Sequence, residues 1–280
     1  MQPWLPAALF AMVAWAGQRT LSKVALSTLG TPKFYLLSAA VSLLTYAPYL
    51  VLRPPAWRDL PPAFGLACLM AVTFGVTTEA IRRGPLSTVS PITALSPALT
   101  ALLGVAVLAE RLDWTAYLGI FLAVVGIVLL GAQPQPDAAS GRRGWLWLAL
   151  LSLGLQGIGA FVAKLVVTPA GPSALLLMGA AVQVVVGMFL APLWKWQRTD
   201  LRGKAAVFTI VAYVVGGIAT IGYLLALAAG KAAVVVPLVA TSPAIAGLLG
   251  ATILKEKTNR RQLTGIFAAL AGAAMLATSG

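Results

Sequence analysis

The feature that most constrains this fold is a succession of apolar segments, each about as long as a membrane-spanning helix. A helix needs about 20 predominantly apolar residues to cross the hydrocarbon core of a bilayer, and such segments follow one another along the whole chain. Of the 280 residues, 60% are hydrophobic and 10% are charged. Soluble domains are about 45–50% apolar and about 25% charged. These values predict an all-α, multi-pass membrane protein.

Hydropathy divides the chain into ten predicted spans joined by short loops. The spans cover residues 4–26, 33–52, 62–83, 86–109, 114–131, 145–167, 173–194, 205–228, 232–254 and 261–278. The segment before the first span lacks the basic flank of a secretory signal, so that span is expected to be retained. The longest polar stretch, residues 132–143, has the Pro, Gln, Ser and Gly content typical of a linker. It separates a first half, residues 1–131, from a second half, residues 144–280.

The two halves are copies of one unit. With an offset of 146, positions 84–126 align with positions 230–272 without a gap, and 17 of the 43 pairs are identical. An offset of 141 also aligns Trp4 with Trp145 and Lys23 with Lys164. The identical pairs include Gly84/Gly230, Pro91/Pro237, Ser96/Ser242, Pro97/Pro243, Glu110/Glu256, Gly119/Gly265 and Gly126/Gly272. Shared Ala and Leu content does not keep these residue types in register, so the pattern indicates duplication of a five-span unit.

The odd number of spans in each copy determines how the copies are oriented. Two consecutive five-span units must enter the membrane from opposite sides, so the halves are predicted to form an inverted repeat. Inverted repeats are typical of alternating-access transporters, whose substrate site lies near the bilayer midplane where the halves meet. Duplication for stability alone is the other interpretation, and the pattern favours transport.

The duplicated segment resembles a known family signature. Residues 84–112, which include Ser96-Pro97 and end in Leu108-Ala-Glu-Arg-Leu112, resemble the EamA-type signature of the drug/metabolite transporter superfamily, and residues 230–257 repeat it. The stretch from Trp15-Ala-Gly17 to Lys23 is similar to the first-helix motif of that family. The resemblance implies a ten-helix basket with a central cavity and secondary transport without ATP hydrolysis. It implies little about the substrate, because members export amino acids, sugars, drugs and other metabolites.

The composition excludes most catalytic and metal chemistry. The chain has no histidine, one cysteine and seven carboxylates, and it has no phosphate-binding loop motif. No catalytic residue, metal site or cofactor is therefore predicted, and an enzyme is not expected. The net charge of +13 is explained by loop Lys and Arg that set orientation and contact anionic lipid headgroups, so nucleic acid is not an expected partner.

Prolines interrupt spans four and nine at matching positions. A proline lacks the N–H and clashes with the carbonyl four residues earlier, so each span is predicted to break twice. Unwound backbone at membrane depth is tolerated where it is buried in protein or lines a cavity. We interpret these spans as a pair of gate helices, and a static kink is the alternative. The residues of these breaks are Pro91, Ser96, Pro97, Pro237, Ser242 and Pro243.

Span one carries an unusual set of polar residues on one helical face. Trp15, Gln18, Arg19 and Ser22 are spaced at i, i+3, i+4 and i+7. A charge inside a span tends to face a cavity or a partner, so Arg19 is expected to line the cavity, with snorkelling towards the headgroups as the alternative. Lys164, like its counterpart in the first copy, is expected to be an interface anchor.

Glu79 is a carboxylate predicted to lie inside a span, near the end of span three. In one interpretation it is a proton-coupling or cation-binding carboxylate of the predicted substrate site, where it and Arg19 hold the two ends of a zwitterion. In the other it forms a local ion pair with Arg82 and Arg83, at i+3 and i+4. The sequence leaves both open.

Three more residues complete the predicted substrate site. Gln156 precedes Lys164 by eight residues, as Trp15 precedes its own lysine. The distantly related small multidrug resistance proteins have an essential glutamate at that position, and its absence from both copies argues against drug/proton antiport of that kind. Tyr213 and Tyr223 in span eight supply aromatic surface with polar tips.

These features together predict a secondary transporter of a bacterial-type inner (plasma) membrane that exports small metabolites such as amino acids by alternating access. The expected partners are a small-molecule substrate, the lipid bilayer, and coupled protons or a counter-substrate, and the chain is expected to act as a monomer or a dimer. The alternatives are a lipid-carrier or lipid-headgroup flippase and a non-transporting membrane scaffold.

The direction of insertion stays open at this point. Most Lys and Arg lie on the face that follows span one, so the positive-inside rule places both termini outside the cell. The family resemblance implies cytoplasmic termini instead. A C-terminal fluorescent-protein or phosphatase fusion distinguishes the two orientations.

Overall fold

The computed structural model describes residues 2–26, 31–84, 86–131, 144–190, 204–252 and 259–279, and every regular element in these ranges is a helix. The predicted linker, residues 132–143, lies outside the described residues. A 3₁₀ turn at Trp57–Asp59 precedes α3. The α-helices are α1 Leu5–Leu26, α2 Thr31–Leu52, α3 Leu60–Arg83, α4 Leu86–Thr93, α5 Ser96–Leu108, α6 Trp114–Gly131, α7 Gly144–Ala170, α8 Pro172–Leu190, α9 Lys204–Ala229, α10 Ala232–Ala240, α11 Ser242–Thr252 and α12 Arg260–Thr278.

Seven helical segments in the described ranges are long and apolar enough to cross a bilayer. They are Trp57–Arg83, Val89–Leu108, Trp114–Gly131, Gly144–Ala170, Pro172–Phe189, Val207–Ala229 and Ala232–Thr252. Each coincides with one predicted span, whereas α1, α2 and α12 are not among them over the described residues. The polar face with Arg19 lowers the mean hydropathy of α1, and the two arginines at the start of α12 lower that of α12. The chain is a multi-pass membrane protein, and the count of ten spans stays a prediction.

Spans four and nine are each divided into two helices beside their Ser-Pro pairs. Helix α4 ends before Ala94 and α5 begins at Ser96, while α10 and α11 are separated by one residue, Thr241. Pro97 and Pro243 take the second position of the helix that follows, where a missing N–H costs little because first-turn N–H groups have no intrahelical acceptor.

The second break predicted in each of these spans is not formed. Pro91 lies inside α4 and Pro237 lies inside α10, and both helices continue through them. Within a membrane, neighbouring helices and local adjustments can satisfy the carbonyl that a proline leaves without a donor. Each of the two spans therefore has one break, beside its Ser-Pro pair.

Helix α10 lies at the centre of the bundle. Residues 232–239 are all buried, and the helix packs against α1, α5, α6, α9 and α12. Its side chains are Ala, Val, Leu and Pro, and small residues allow the backbones of neighbouring helices to approach closely. The break between α10 and α11, at Thr241, therefore lies in the interior of the bundle.

Helices α6 and α12, the last helices of the two halves, cross through reciprocal glycine contacts. A Cβ added to Gly126 would collide with Ala269, and a Cβ added to Gly272 would collide with Ala123. With the 146-residue offset these residues correspond to each other, so the two contacts are related by exchange of the halves. Gly119, earlier in α6, faces Gly272, later in α12. The two helices therefore run antiparallel.

A second reciprocal contact joins the first helix of each half to the third helix of the other. The Trp4 ring lies against Gly230 after α9, and the Trp145 ring lies against Gly84 after α3. Both tryptophans and both glycines are pairs of corresponding residues. The absence of a Cβ lets each indole pack directly on the backbone of the turn. The exchange of contacts indicates an approximate twofold relation between the halves.

The second helices of the halves, α2 and α8, are also antiparallel. Gln183 Nε2 in α8 donates to Ser38 Oγ early in α2 at 3.3 Å. Ser173 Oγ, near the start of α8, donates to the carbonyl of Arg53, just after α2, at 2.5 Å. Equivalent helices thus run in opposite directions in two pairs, which is the arrangement that an inverted repeat requires.

Candidate functional site

A cavity of about 910 Å³ lies between the two halves of the bundle. Its walls come from α1, α2, α3 and α5 of the first half and from α7, α8, α9 and α10 of the second. Most of the lining is aliphatic or glycine, as is common for ligand cavities. The polar and aromatic residues that line it include Trp15, Ser38, Ser96, Gln156, Gln183, Tyr213, Thr220 and Tyr223.

Trp15 of α1 and Tyr223 of α9 form an aromatic wall of the cavity. Their ring centroids are 5.2 Å apart and the ring planes are tilted by 41°, which is within the ordinary range for attractive aromatic pairs. Gly222 brings α9 close to the carbonyl of Ala7 in α1, so glycine packing holds the two rings near each other. An apolar ring or chain of a solute can pack on this surface.

Two amide side chains give the cavity polar groups that are held by neighbouring hydroxyls. Gln156 Nε2 donates to Ser152 Oγ at 2.9 Å, and Ser152 Oγ is 2.6 Å from Thr77 Oγ1, which joins α7 to α3. Gln183 Nε2 donates to Ser38 Oγ across the contact between α8 and α2. The cavity is therefore polar at defined places on an otherwise apolar surface.

Both broken spans reach the cavity with helix ends. Ser96 and Pro97 are the first residues of α5, and Val239 and Ala240 are the last of α10; all four line the cavity. A helix N-terminus carries a partial positive charge and a C-terminus a partial negative charge. The cavity thus contacts one helix end of each sign.

The predicted substrate residues divide into two groups. Gln18 lies in the contact between α1 and α9, where its amide is packed against Gly216, and Arg19 projects from the exposed side of α1. The cavity covers only part of the face of α1, because α9 packs along the rest. The predicted residues that line the cavity are Trp15, Gln156, Tyr213 and Tyr223.

Glu79 forms the local ion pair that the sequence left open. Its Oε2 accepts from Arg82 Nε at 2.6 Å and its Oε1 accepts from Arg83 Nε at 2.5 Å. The pairing of Glu79 with Arg19 in a shared cavity is not formed. The two arginines lie one turn further along the same helix, so they reach the carboxylate from an exposed position without crossing the bundle.

Sequence reasoning missed the cavity residues that α2 and α3 contribute. Ser38, Met70 and Phe74 line the cavity, and in the sequence they lie within apolar segments where nothing distinguishes a cavity-facing position from a lipid-facing one. Met70 and Phe74 are placed by the packing of α3 against α7 and α8, and Ser38 by the packing of α2 against α8 and α9.

Lys164 binds the end of helix α9. Its Nζ donates to the carbonyls of Leu227, Ala228 and Gly230 at 2.8, 3.3 and 2.8 Å. The last carbonyls of a helix have no intrahelical donor and carry partial negative charge, so an ammonium group is a favourable partner. Lys164 therefore contacts the end of a neighbouring helix from within α7, and its role as an interface anchor stays a prediction. The side chain of its counterpart, Lys23, lies outside the described residues.

Glu110 binds the start of helix α10, on the other side of the same turn. Its Oε1 and Oε2 accept from the N–H groups of Ala232 and Ala233 at 2.7 and 2.8 Å. Ala109 adopts a left-handed conformation with φ of 51°, which ends α5 and turns the chain before Glu110. The counterpart of this residue, Glu256, lies outside the described residues. The sequence singled Glu110 out as a repeated residue, without indicating this contact.

Asp113 makes the corresponding local contact before α6. It accepts hydrogen bonds from the Thr115 hydroxyl at 2.7 Å and from the Ala116 N–H at 3.0 Å. These two donors, the hydroxyl first, hold the pKa of the Asp113 carboxyl below its ordinary value of 3.8. The residue is a helix cap outside the spans and takes no part in the cavity.

A comparison with protein families decides the identity of the chain. The model of the EamA-like transporter family matches residues 2–132 and matches again over residues 143–278. The chain belongs to the EamA-like transporter family. This confirms the resemblance found in residues 84–112 and 230–257, and it makes the EamA-like chain a membrane transporter. Two consecutive matches are also what a duplicated unit produces.

A curated relative has the length of one repeat. An uncharacterized transporter in the cobO 3' region of Sinorhizobium sp. is 28% identical to the EamA-like chain over 137 residues, which are 48% of this chain and 97% of the relative. A protein described only as a crystal structure matches with a TM-score of 0.79 and 14% identity, over 97% of this chain and 95% of its own. The second likeness shows that the helical fold is shared with a solved protein.

Proposed function

We propose that the EamA-like chain is a secondary transporter that exports small metabolites, such as amino acids, by alternating access through the cavity between its halves. The observation that carries the proposal is the cavity itself, which both halves line and which both broken spans reach. A membrane protein that opens such a cavity alternately to each side moves a solute without a continuous pore.

The architecture proposed for this mechanism is ten spans in two inverted five-span units, residues 1–131 and 144–280. The antiparallel α2/α8 and α6/α12 pairs and the reciprocal Trp4–Gly230 and Trp145–Gly84 contacts support it. Symmetry of this kind lets the two halves exchange conformations, so that an arrangement closed on one side is converted into its counterpart on the other.

A substrate of amino-acid type is supported by the polarity of the cavity. The α5 N-terminus at Ser96 and the α10 C-terminus at Ala240 have partial charges that suit a carboxylate and an ammonium group, respectively. Trp15, Tyr213 and Tyr223 provide surface for the side chain of such a solute, and Gln156 provides hydrogen bonds. In this proposal the hinge of the gate helices is formed by Ser96, Pro97, Ser242 and Pro243. The transporter lies in a bacterial-type inner membrane.

The rival proposals have less support. A lipid flippase needs basic side chains for the phosphate of its headgroup, and the described lining contains no Lys or Arg. A scaffold has no use for a cavity of about 910 Å³ between its halves, because empty volume reduces packing energy.

Flux measured in proteoliposomes tests the transport proposal, with a tryptophan variant as the probe of the cavity. Trp15→Ala removes an aromatic contact worth about 0.5–1.5 kcal/mol, so we expect the concentration for half-maximal flux of a labelled neutral amino acid to rise about 2- to 12-fold. Trp147→Ala is the matched control, because that indole of α7 is 73% exposed and should leave flux unchanged.

Other outcomes of the same measurement favour the rivals. Flux that phosphocholine or phosphoethanolamine inhibits better than amino acids supports the flippase. Flux equal to that of protein-free liposomes for every solute, from folded protein, supports the scaffold and contradicts transport.

A further inference from the structure

We propose that the cavity carries solutes of zero net charge and that transport through it is electroneutral and independent of the proton gradient. The inference rests on the proposed transport function and adds the charge class of the substrate and its coupling. Among the described residues that line the cavity there is no Asp, Glu, Lys or Arg. The titratable side chains in that lining are the phenols of Tyr213 and Tyr223, and phenols are neutral at physiological pH.

Four charged side chains of the described spans lie outside this lining. Lys164 donates to three carbonyls at the end of α9, and Glu110 accepts from two N–H groups at the start of α10. Glu79 is held by two arginines of its own helix, and Arg19 projects from the exposed side of α1. A charged solute in the cavity therefore meets no opposite side-chain charge in the described lining.

The energetic consequence is selection by net charge. Moving an ion from water into a site without a counter-charge is strongly unfavourable. In a neutral or zwitterionic solute the opposite charges offset each other, and amides, hydroxyls and helix ends can solvate its polar groups. Gln156, Gln183 and Ser96 supply such groups here. The cavity thus accepts a polar solute while it excludes an anion or a cation of similar size.

The lack of charged side chains in the described lining also bears on how solute transport is coupled to the proton gradient. A proton-coupled transporter needs a group that binds and releases a proton as the cavity changes sides, and buried carboxylates commonly serve. The carboxylates of Glu79 and Glu110 accept two or more hydrogen bonds each, outside the cavity lining. Net transport of the solute is then driven by its own concentration gradient or by exchange for a second neutral solute.

Proteoliposomes containing the full chain test this inference with four labelled probes: phenylalanine, leucine, glutamate and lysine. We expect at least one neutral amino acid to move about tenfold faster than either charged one, given the cost of an unpaired charge. A potassium diffusion potential set with valinomycin, or a pH gradient of about one unit, should change the initial rate for the neutral probe by less than about twofold. A rate that follows either gradient would overturn the inference while leaving transport intact. Absence of flux for all four probes counts against the proposed function and against this inference with it.

Placing a charge in the cavity provides the complementary test. Gln156→Glu puts a carboxylate in the lining, so we expect neutral flux to fall about tenfold and lysine to become a better probe than leucine. Gln183→Glu repeats the test from α8 in case the first variant folds poorly. Gln262→Glu is the matched control, because residue 262 accepts from the Asn259 N–H at the start of α12 and glutamate serves equally well in that capping box. Wild-type selectivity in both cavity variants would contradict the inference.

Discussion

Glu110→Gln should lower the free energy of unfolding by about 2–3 kcal/mol, whereas the same substitution at Glu79 should leave it close to that of the wild type. Glu110 accepts from two backbone N–H groups at the start of α10, the central helix. Hydrogen bonds to a charged group contribute about 1.5–3 kcal/mol, and the helix dipole adds to this. A glutamine keeps one acceptor but turns its own amide nitrogen towards the second N–H. The thermal unfolding midpoint in detergent measures the difference.

The comparison with Glu79→Gln controls for the chemistry of the change. Glu79 and its arginines are substantially exposed, and exposed ion pairs contribute little to stability. Equal shifts in the unfolding midpoint for the two variants would show that Glu110 does not hold α10 in solution. A large shift for Glu79→Gln alone would indicate that Glu79 has a partner inside the bundle.

Gly126→Ala should destabilise the chain by about 3 kcal/mol or more, because the added methyl group would collide with the backbone of α12 at Ala269. Overpacking typically costs about 1–3 kcal/mol when side chains can adjust, and backbone atoms adjust less readily. The reciprocal variant Gly272→Ala, which collides with Ala123, should have an effect of similar size. Unfolding midpoints of the purified variants measure both.

Gly131→Ala is the matched control on the same helix. A Cβ there would lie 3.5 Å from the Cβ of Ser90, which is an ordinary contact. Gly131 is the last residue of α6, where alanine has little of the advantage over glycine that it has within a helix, so this variant should be about as stable as the wild type. If Gly126→Ala and Gly131→Ala unfold together with the wild type, the α6–α12 crossing is not packed as described.

The repeat and the helix breaks were the parts of this fold that sequence could predict. Alignment of the two copies pairs Gly126 with Gly272 and Trp4 with Trp145, and both pairs make reciprocal contacts in the structure. The Ser-Pro pairs predicted the divided spans because proline chemistry is local. Pro91 and Pro237 were harder to judge, since the effect of a proline within a membrane depends on the helices around it.

The lining of the cavity and the roles of the charged residues depend on packing that sequence does not show. Glu79 and Glu110 are both carboxylates near the ends of apolar segments, yet one pairs with its own helix and the other reaches α10 from the far half. Lys164 likewise binds carbonyls that are distant in sequence, since Leu227 lies 63 residues after it. Periodicity identified a polar face on α1, but the position of α9 decides that Trp15 lines the cavity and Gln18 does not.

The most direct test of transport through this cavity is to fill it. Gly179 of α8 lines the cavity, and a Cβ at that position would have no atom within 4 Å, so the side chain of Gly179→Trp starts in open space and its indole occupies cavity volume. Gly75→Trp is the matched control, because Gly75 of α3 is exposed, lies outside the lining and has equally open surroundings. In proteoliposomes, the Gly179→Trp protein should fold and lose the solute flux of the wild type, while the Gly75→Trp protein should retain it. Wild-type flux from folded Gly179→Trp protein would show that the solute does not pass through this cavity.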